Sequence, residues 1–374
     1  MLDYEAPLAH VLYLQLPEDL QEGADYKISF AGNELAYTHN SKKNQSEAVH
    51  VSQIGFRFDD PKKIAFLSSW MGDGGPVNYA EGMSFEVINE ENNQVVLDGS
   101  TKLALSKNEP DDVYGNNYAG VDVYYMDFSK LKEVGNYRVC VQGIGCSLPF
   151  SIAQDVWKKA FQASVKGLYH QRSGIELNSS YSEFSRPRSF HPDDGVVVYA
   201  SEVALMDTSN GLSPENNVFE ALVKNKTDQV LPNAWGGTMD AGDWDRRIQH
   251  LKASRLILEL ASLFPEFVNE INLNIPESDN QVPDIIDEAL WNVDFYKRLQ
   301  VSEGGVRGGI ESSGHPRYGE MSWQESLTVM AYAPGVWSSY LYAGVAAQAS
   351  QIVKPFDQER AAEYLQSALR AMKW

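Results

Sequence analysis

The 374-residue chain carries 31 Lys and Arg against 51 Asp and Glu, a formal charge of −20, with 43% hydrophobic and 11% aromatic residues. That composition belongs to a globular protein, and the length predicts more than one domain. The acidity argues against a nucleic-acid or anionic-membrane partner, which needs a basic footprint, and no apolar run approaches the ~20 residues of a membrane span.

The opening residues Met1-Leu2-Asp3-Tyr4-Glu5 are acidic and lack the basic stretch of a signal peptide. Either the protein is cytoplasmic or this start is not the natural one, so the compartment stays open. Up to about residue 152, short β-branched or aromatic runs (Tyr26–Phe30, Ile64–Leu67, Phe85–Ile88, Gln94–Leu97, Val121–Tyr124, Tyr137–Val141) alternate with Asn, Gly and Asp clusters. Such spacing predicts a β-sandwich. Leu131–Tyr137 reads as a turn feeding the last of these strands. Leu20–Tyr26 mimics that pattern, which marks residues 1–48 as an N-terminal extension or the tail of a preceding β-domain. The only two cysteines, Cys140 and Cys146, bracket a Gly-containing turn. A disulfide in an oxidising compartment and a pair of free thiols both fit.

Beyond Phe150 the apolar period lengthens from two to about 3.6. Val156, Trp157, Ala160, Phe161, Val165, Leu168 and Tyr169 make one helical stripe, and Ile248–Phe264, halted by Pro265, makes another. Pro283 starts a third helix, with Ile285, Ile286, Ala289, Leu290, Val293, Tyr296 and Leu299 as its buried face. Pro334 starts a fourth through Val336, Trp337, Tyr340 and Leu341, and a fifth runs from about Gln358 to Lys373. The stretch from Gly174 to about Val230 shows little periodicity, and connections of that length are usually functional or hold local structure.

One segment carries most of the chemistry: Trp235-Gly236-Gly237-Thr238-Met239-Asp240-Ala241-Gly242-Asp243-Trp244. Its glycines let the backbone turn sharply and approach a ligand, so Asp240 and Asp243 can converge beside indole rings. Paired carboxylates next to aromatic faces suit a sugar site, one anion activating water while rings stack on pyranose faces. The same residues also read as an Asp-rich turn capping the following helix.

Gly-Gly-x-x-Asp-Ala-Gly-Asp resembles the signature of glycoside hydrolase family 9, the inverting cellulases and their relatives. Three further stretches resemble that family in the expected order. Val51–Phe56 with Asp60–Ala65 looks like the opening strands of an immunoglobulin-like domain. Tyr169–Ile175 with Arg186-Pro187 looks like the first catalytic helix and its exit loop, and Val282–Trp291 like the helix after the base loop. The resemblance implies a multidomain chain: an immunoglobulin-like β-sandwich over 49–152, then the first part of an all-α (α/α)6 barrel over 153–374. Such a barrel has twelve helices and only about five are legible, so the chain looks cut within its catalytic domain.

By resemblance Asp243 is the general base and Asp240 helps hold the nucleophilic water. In inverting hydrolysis the base and the acid stand ~6.5–9.5 Å apart to admit that water. The family's acid is a glutamate near the end of the catalytic domain, and no residue here inherits the role. Glu288, Glu311, Glu320 and Glu325 are carboxylates that can be miscast in it. Trp235, Trp244, Tyr181 and Trp323 are candidate sugar-stacking residues, each also readable as a core or loop-anchoring aromatic. Arg186 and His191 sit in a loop that in the family approaches the cleft. Some members have cysteines of a structural zinc site where this chain has Ser173 and Phe190, so no metal or cofactor is carried over. Calcium on Asp193 and Asp194 stays open. The implied function is inverting hydrolysis of β-glycosidic bonds in a cellulose- or β-glucan-type polysaccharide or oligosaccharide. An exo-β-glucosaminidase of the same family and a non-catalytic carbohydrate-binding fragment are the alternatives. The chain alone is expected to be inactive, with faces such as Ala361, Leu365 and Leu369 lacking partners.

Overall fold

A computed structural model describes residues 10–374; residues 1–9, the beginning of the extension expected over 1–48, lie outside the described residues. The chain divides into two compact units, one up to Ala160 and one from Phe161 to Trp374.

In the first unit, Asp25–Phe30 (β1) and Asn33–Thr38 (β2) pair as a separate hairpin whose side chains are mostly exposed. Nine further strands follow: Val49–His50 (β3), Ile64–Leu67 (β4), Ser84–Asn89 (β5), Val95–Ser100 (β6), Lys102–Leu105 (β7), Val123–Asp127 (β8), Gly135–Val141 (β9), Gly145–Cys146 (β10) and Phe150–Ile152 (β11). One antiparallel sheet runs β10-β9-β5-β6, with β11 also on β9, and the other runs β3-β4-β8-β7. Inward residues alternate as the pleat demands. Phe85, Val87, Tyr137, Val139 and Val141 from one sheet meet Ala65, Leu67, Tyr124 and Met126 from the other in a single core. This is the expected sandwich. Tyr137 Oη donates to Glu133 O at 3.0 Å, a tyrosine corner that fixes the predicted turn to β9. Cys140 and Cys146 face each other across the β9–β10 pair and are joined, so of the two alternatives the disulfide is the one present.

Val156–His170 (α1) leads into the second unit. There follow Val198–Ala204 (β12), Val218–Lys224 (α2), Lys226–Val230 (β13), Leu251–Leu263 (α3), Pro265–Asn269 (α4), Asp284–Arg298 (α5), Ile310–Ser312 (β14), Val329–Ala333 (β15), Val336–Val353 (α6) and Gln358–Lys373 (α7). All five expected helices are present. Asp357 caps α7, its carboxylate accepting from Arg360 N at 2.9 Å. Helix α3 packs on α5 and α6, and α6 packs on α7. Leu258, Ile285, Leu290 and Val293 are fully buried between them, each worth about 1.5–3 kcal/mol of apolar transfer.

Three details depart from the sequence pattern. The Gly174–Val230 stretch contains β12, α2 and β13, and β12 pairs in parallel with β15 in a sheet ordered β13-β12-β15-β14. Strand β15 is buried on both faces, so its sequence shows no alternation. On α6 most of the anticipated stripe is turned outward: Val336, Trp337 and Tyr340 are exposed, while Leu341 packs against the core and Tyr342, Val345, Ala346, Ala349 and Val353 lie within it. On α7 Ala361 is buried, its carbonyl accepting from Ser350 Oγ at 2.7 Å, whereas Leu365 and Leu369 are exposed. No described helix is long and apolar enough to cross a membrane.

Candidate active site

Between β13 and α3 the residues 235–247 run as irregular backbone pinned by the elements around it. Ser173 N, just past α1, donates to Gly237 O, and Met239 N donates to Gln171 O, both at 2.8 Å. From α5, Trp291 Nε1 donates to Gly237 O at 2.7 Å and Asn292 Nδ2 to Thr238 Oγ1 at 2.6 Å. Asp245 is the buried anchor. Its Oδ2 accepts from Thr238 N at 2.9 Å, and its Oδ1 accepts from Tyr296 Oη at 2.6 Å with His250 Nδ1 at 3.0 Å. Burial draws the His250 imidazole down, but the hydrogen bond and charge of Asp245 outweigh it and raise its pKa. Gly237 has φ 76°, and a Cβ there would stand 2.6 Å from Asp245 Oδ2, so the loop closes only over glycine.

Asp240-Ala241-Gly242-Asp243 is a turn, with Asp243 N donating to Asp240 O at 3.1 Å. Ala241 and Gly242 have φ 54° and 89°, the positive pair of a type I′ turn. Alanine occupies that region at a cost of about 1–2 kcal/mol. The turn gathers both carboxylates around Arg246. Its Nε donates to Asp240 Oδ2 at 2.8 Å, and its Nη1 lies 3.3 Å from Glu311 Oε2 and 3.9 Å from Asp243 Oδ2. Burial would discharge Arg246, but Asp240, Glu311 and Asp243 outweigh it and hold the guanidinium charged.

Identical side chains end in different states. Burial raises the Asp243 carboxyl above its ordinary value, with Arg246 pulling it down and Asp240 pushing it further up. Among the described residues its Oδ1 has no hydrogen-bond partner, and the side chain is 16% exposed. Burial pushes Asp240 up too, but there the Arg246 hydrogen bond and charge, with His250 and Arg247, win and hold it low. Glu311 on β14 is buried and pushed up to about 7, burial being the larger cause and Asp243 adding to it. The arrangement offers one carboxylate held towards its charged form, Asp240, beside two pushed towards taking a proton, Asp243 and Glu311.

The other anticipated residues divide. Trp244 requires correction as a sugar platform: it is 1% exposed, stacked on Phe190 at 4.4 Å, with Nε1 donating to Glu325 Oε2 at 2.7 Å. Arg186 is also buried and props the loop, with Nη2 on Arg172 O at 2.7 Å and Nη1 on Met239 Sδ at 2.8 Å. Trp235 is half-buried, with the His191 ring at 4.5 Å and the Arg298 guanidinium at 4.3 Å. His191 accepts from Asp193 N at 3.2 Å, capping a short turn. Tyr181 and Trp323 are half-buried, and among the described residues no hydrogen bond joins either to the two aspartates. Neither aspartate caps α3, which starts at Leu251, so the helix-cap alternative falls. Ser173 and Phe190 are buried, and Asp194 is paired with Arg188 at 2.8 Å. Among the described residues no three His, Cys, Asp or Glu side chains are grouped to hold a metal ion. Sequence reasoning missed Asp245, Arg246, His250 and Tyr296. The only signal was adjacency: Asp245 and Arg246 follow the Asp-x-x-Asp pair directly, where charges ordinarily read as solvated.

Comparison with known proteins places this geometry in context. A model of the cellulase N-terminal ig-like domain matches residues 44–146, and one of glycosyl hydrolase family 9 matches residues 157–374. Endoglucanase D of Acetivibrio thermocellus is 26% identical over 366 residues, covering 96% of this chain and 48% of its own. A xyloglucan-specific endo-beta-1,4-glucanase, BoGH9A of Bacteroides ovatus, is 25% identical over 276 residues, covering 74% and 40%. Among solved structures, a Bacteroides ovatus GH9 protein superposes with a TM-score of 0.67 at 22% identity, over 87% of this chain and 53% of that one. A metagenome-derived glycoside hydrolase family 9 endoglucanase gives 0.66 at 23% identity, with the same coverage of 87% and 53%. These likenesses support the fold of a sandwich followed by barrel helices. The chain spans about half the length of the curated relatives it matches, or less.

Proposed function

Because the chain belongs to glycosyl hydrolase family 9, we propose that its helical unit carries the water-activating half of an inverting β-glycosidase acting on a β-linked glucan or oligosaccharide. The observation that carries this reading is the split pair: Asp243, with a raised pKa and an oxygen free of partners, beside Asp240, held anionic by Arg246. Asp243 accepts the proton of water, and Asp240 orients that water. Trp235, with His191 beside it, is one of the half-buried aromatics left for a sugar ring, with Tyr181 and Trp323, once Trp244 is removed from the set. Names such as endoglucanase and xyloglucan-specific glucanase among the relatives support β-1,4-glucan as the substrate class.

The general acid is proposed to lie outside these residues, because the candidate glutamates are otherwise engaged. Glu288 is bound to the buried Arg172 at 3.0 Å, and Glu311 lies buried against Arg246. Glu320 accepts from Arg317 N at 2.7 Å, and Glu325 accepts from Trp244 Nε1 and Leu327 N, both at 2.7 Å. A substrate whose leaving group needs no proton therefore isolates the base. On β-cellobiosyl fluoride, water attacks the anomeric carbon, fluoride departs with the bonding pair, and Asp243 takes the proton. The protein should release the α-anomer, with a rate that rises with pH through the raised pKa of Asp243. Asp243→Asn should lose about 10²–10⁴-fold, the usual worth of general base catalysis. Polymeric β-glucan should stay intact without an added acid. Release of the β-anomer, or an Asp243→Asn rate equal to the parent's, would sink the assignment. Three carboxylates around one guanidinium also favour a cationic sugar, so glucosaminyl fluoride is the second substrate. Preference for it would move the reading to the glucosaminidase alternative.

A further inference from the structure

The helical unit holds a second concavity, of about 560 Å³, formed by the end of β13, the turn after α5 and the approach to α6. Its size suits a small molecule. Its polar lining includes Gln229, Asn233, Arg298, Gln300, Glu303 and Arg307, with neither Asp240 nor Asp243 among the residues around it. In a chain of net charge −20, this cleft is locally basic.

The two arginines are poorly partnered for their burial. Arg307 is 7% exposed, and among the described residues its guanidinium makes a single hydrogen bond, from Nη1 to Tyr332 O at 2.8 Å. Arg298 spends Nε and Nη2 on one acceptor, Trp235 O, at 3.1 and 2.9 Å. Among the described residues neither forms an ion pair, although the charge of Asp294 offsets part of the burial of Arg298. The one acidic side chain of the lining, Glu303, is exposed and accepts from Ser302 Oγ at 2.8 Å instead; Trp374 also lines the cleft. The arginines are also backbone neighbours, since Arg307 N donates to Leu299 O at 3.3 Å and Gln300 bridges to Val306. A third guanidinium, Arg370, reaches the same turn, with Nη2 on Gln300 Oε1 at 2.7 Å.

A buried guanidinium without a counter-charge is costly, and native structures normally supply one. Burial depresses the pKa of Arg307 with no anion to offset it. A planar fork with unspent N–H groups in a cleft is what takes up phosphate or carboxylate in two-point contact. We propose that this cleft binds a small oxyanion, either a phosphate or the carboxylate of an acidic sugar, between Arg307 and Arg298.

The test is thermal unfolding of the 374-residue protein in inorganic phosphate and, separately, in glucuronate. Each is compared with chloride at equal ionic strength, and glucose serves as the neutral control. At roughly ten times the Kd, a bound anion should raise Tm by about 3–6 °C. The rise should vanish in Arg307→Gln and shrink in Arg307→Lys, which keeps the charge but loses the fork. A rise in phosphate alone assigns phosphate, and one in glucuronate but not glucose assigns the sugar acid. If Arg307→Gln fails to fold, line broadening of the phosphate signal in phosphorus NMR by the parent, weakened in Arg307→Lys, supports the site on its own. Equal stabilisation by chloride, an undiminished rise in Arg307→Gln, or, where phosphate is the anion that stabilises, an unbroadened phosphate signal overturns the proposal.

Discussion

Asp240 and Asp243 differ only in what surrounds them, and Arg246 is the chief difference: it touches one at 2.8 Å and stands off from the other at 3.9 Å. The sequence made the aspartates visible because the glycines around them mark a loop. It did not show Arg246 as their arbiter or Glu311 as its third carboxylate, because β14 brings that glutamate in from 65 residues away. Glu311 gives a stability test. Its pKa rises from an ordinary 4.5 to about 7 on folding, so in that window the native state holds a proton that the unfolded chain has released. Stability should therefore fall as pH climbs from 4.5 towards 7, by an amount on the order of 3 kcal/mol for this group alone. In Glu311→Gln, urea unfolding across that range should show a shallower fall. An unchanged slope would mean that the glutamate is not titrating there.

The loop 235–247 works as an element because its supports come from structure that is already rigid. Helices α1 and α5 were legible from their apolar stripes, and Pro283 marked where α5 begins. The sheet behind the site was not. β14 has three residues, and β15 is buried on both faces, so neither shows a period of two. The α6 stripe misled for a related reason: the helix is apolar on several sides, and the face with Tyr342, Val345, Ala346 and Ala349 is the one in the core. Asp245 is the single tie between loop and α5 whose loss should spread. Asp245→Asn keeps the shape but removes the charge that holds Thr238 N, Tyr296 Oη and His250. Destabilisation of about 2–4 kcal/mol is expected, with faster hydrogen exchange at the Thr238 amide. Native-like protection of that amide in the variant would show that the loop is held by its backbone bonds alone.

At the scale of the molecule, each unit has its own core: one between the two sheets, and one shared by the helices and the mixed sheet. The order of strands then helices was plain in the sequence, because the period of apolar residues changes between Ile152 and Val156. Separate cores predict separate cooperativity. Calorimetry should resolve two transitions, and Tyr137→Phe, which removes the tyrosine corner, should lower only the sandwich transition, by about 1 kcal/mol. A single transition, shifted as a whole by that substitution, would show the units to be energetically one.

The Asp-Ala-Gly-Asp turn has a consequence beyond this site. The distance between its carboxylates is set by two residues that possess no functional group at all, Ala241 and Gly242, through the handedness of their backbone. The pair is therefore a transferable module. An Asp-Asn-Gly-Asp hairpin on an unrelated scaffold meets the same stereochemical requirement with less strain at its second position, because asparagine visits positive φ more readily than alanine. What would not travel with it is the asymmetry: without an arginine placed to favour one carboxylate, the transplanted aspartates would titrate as equals.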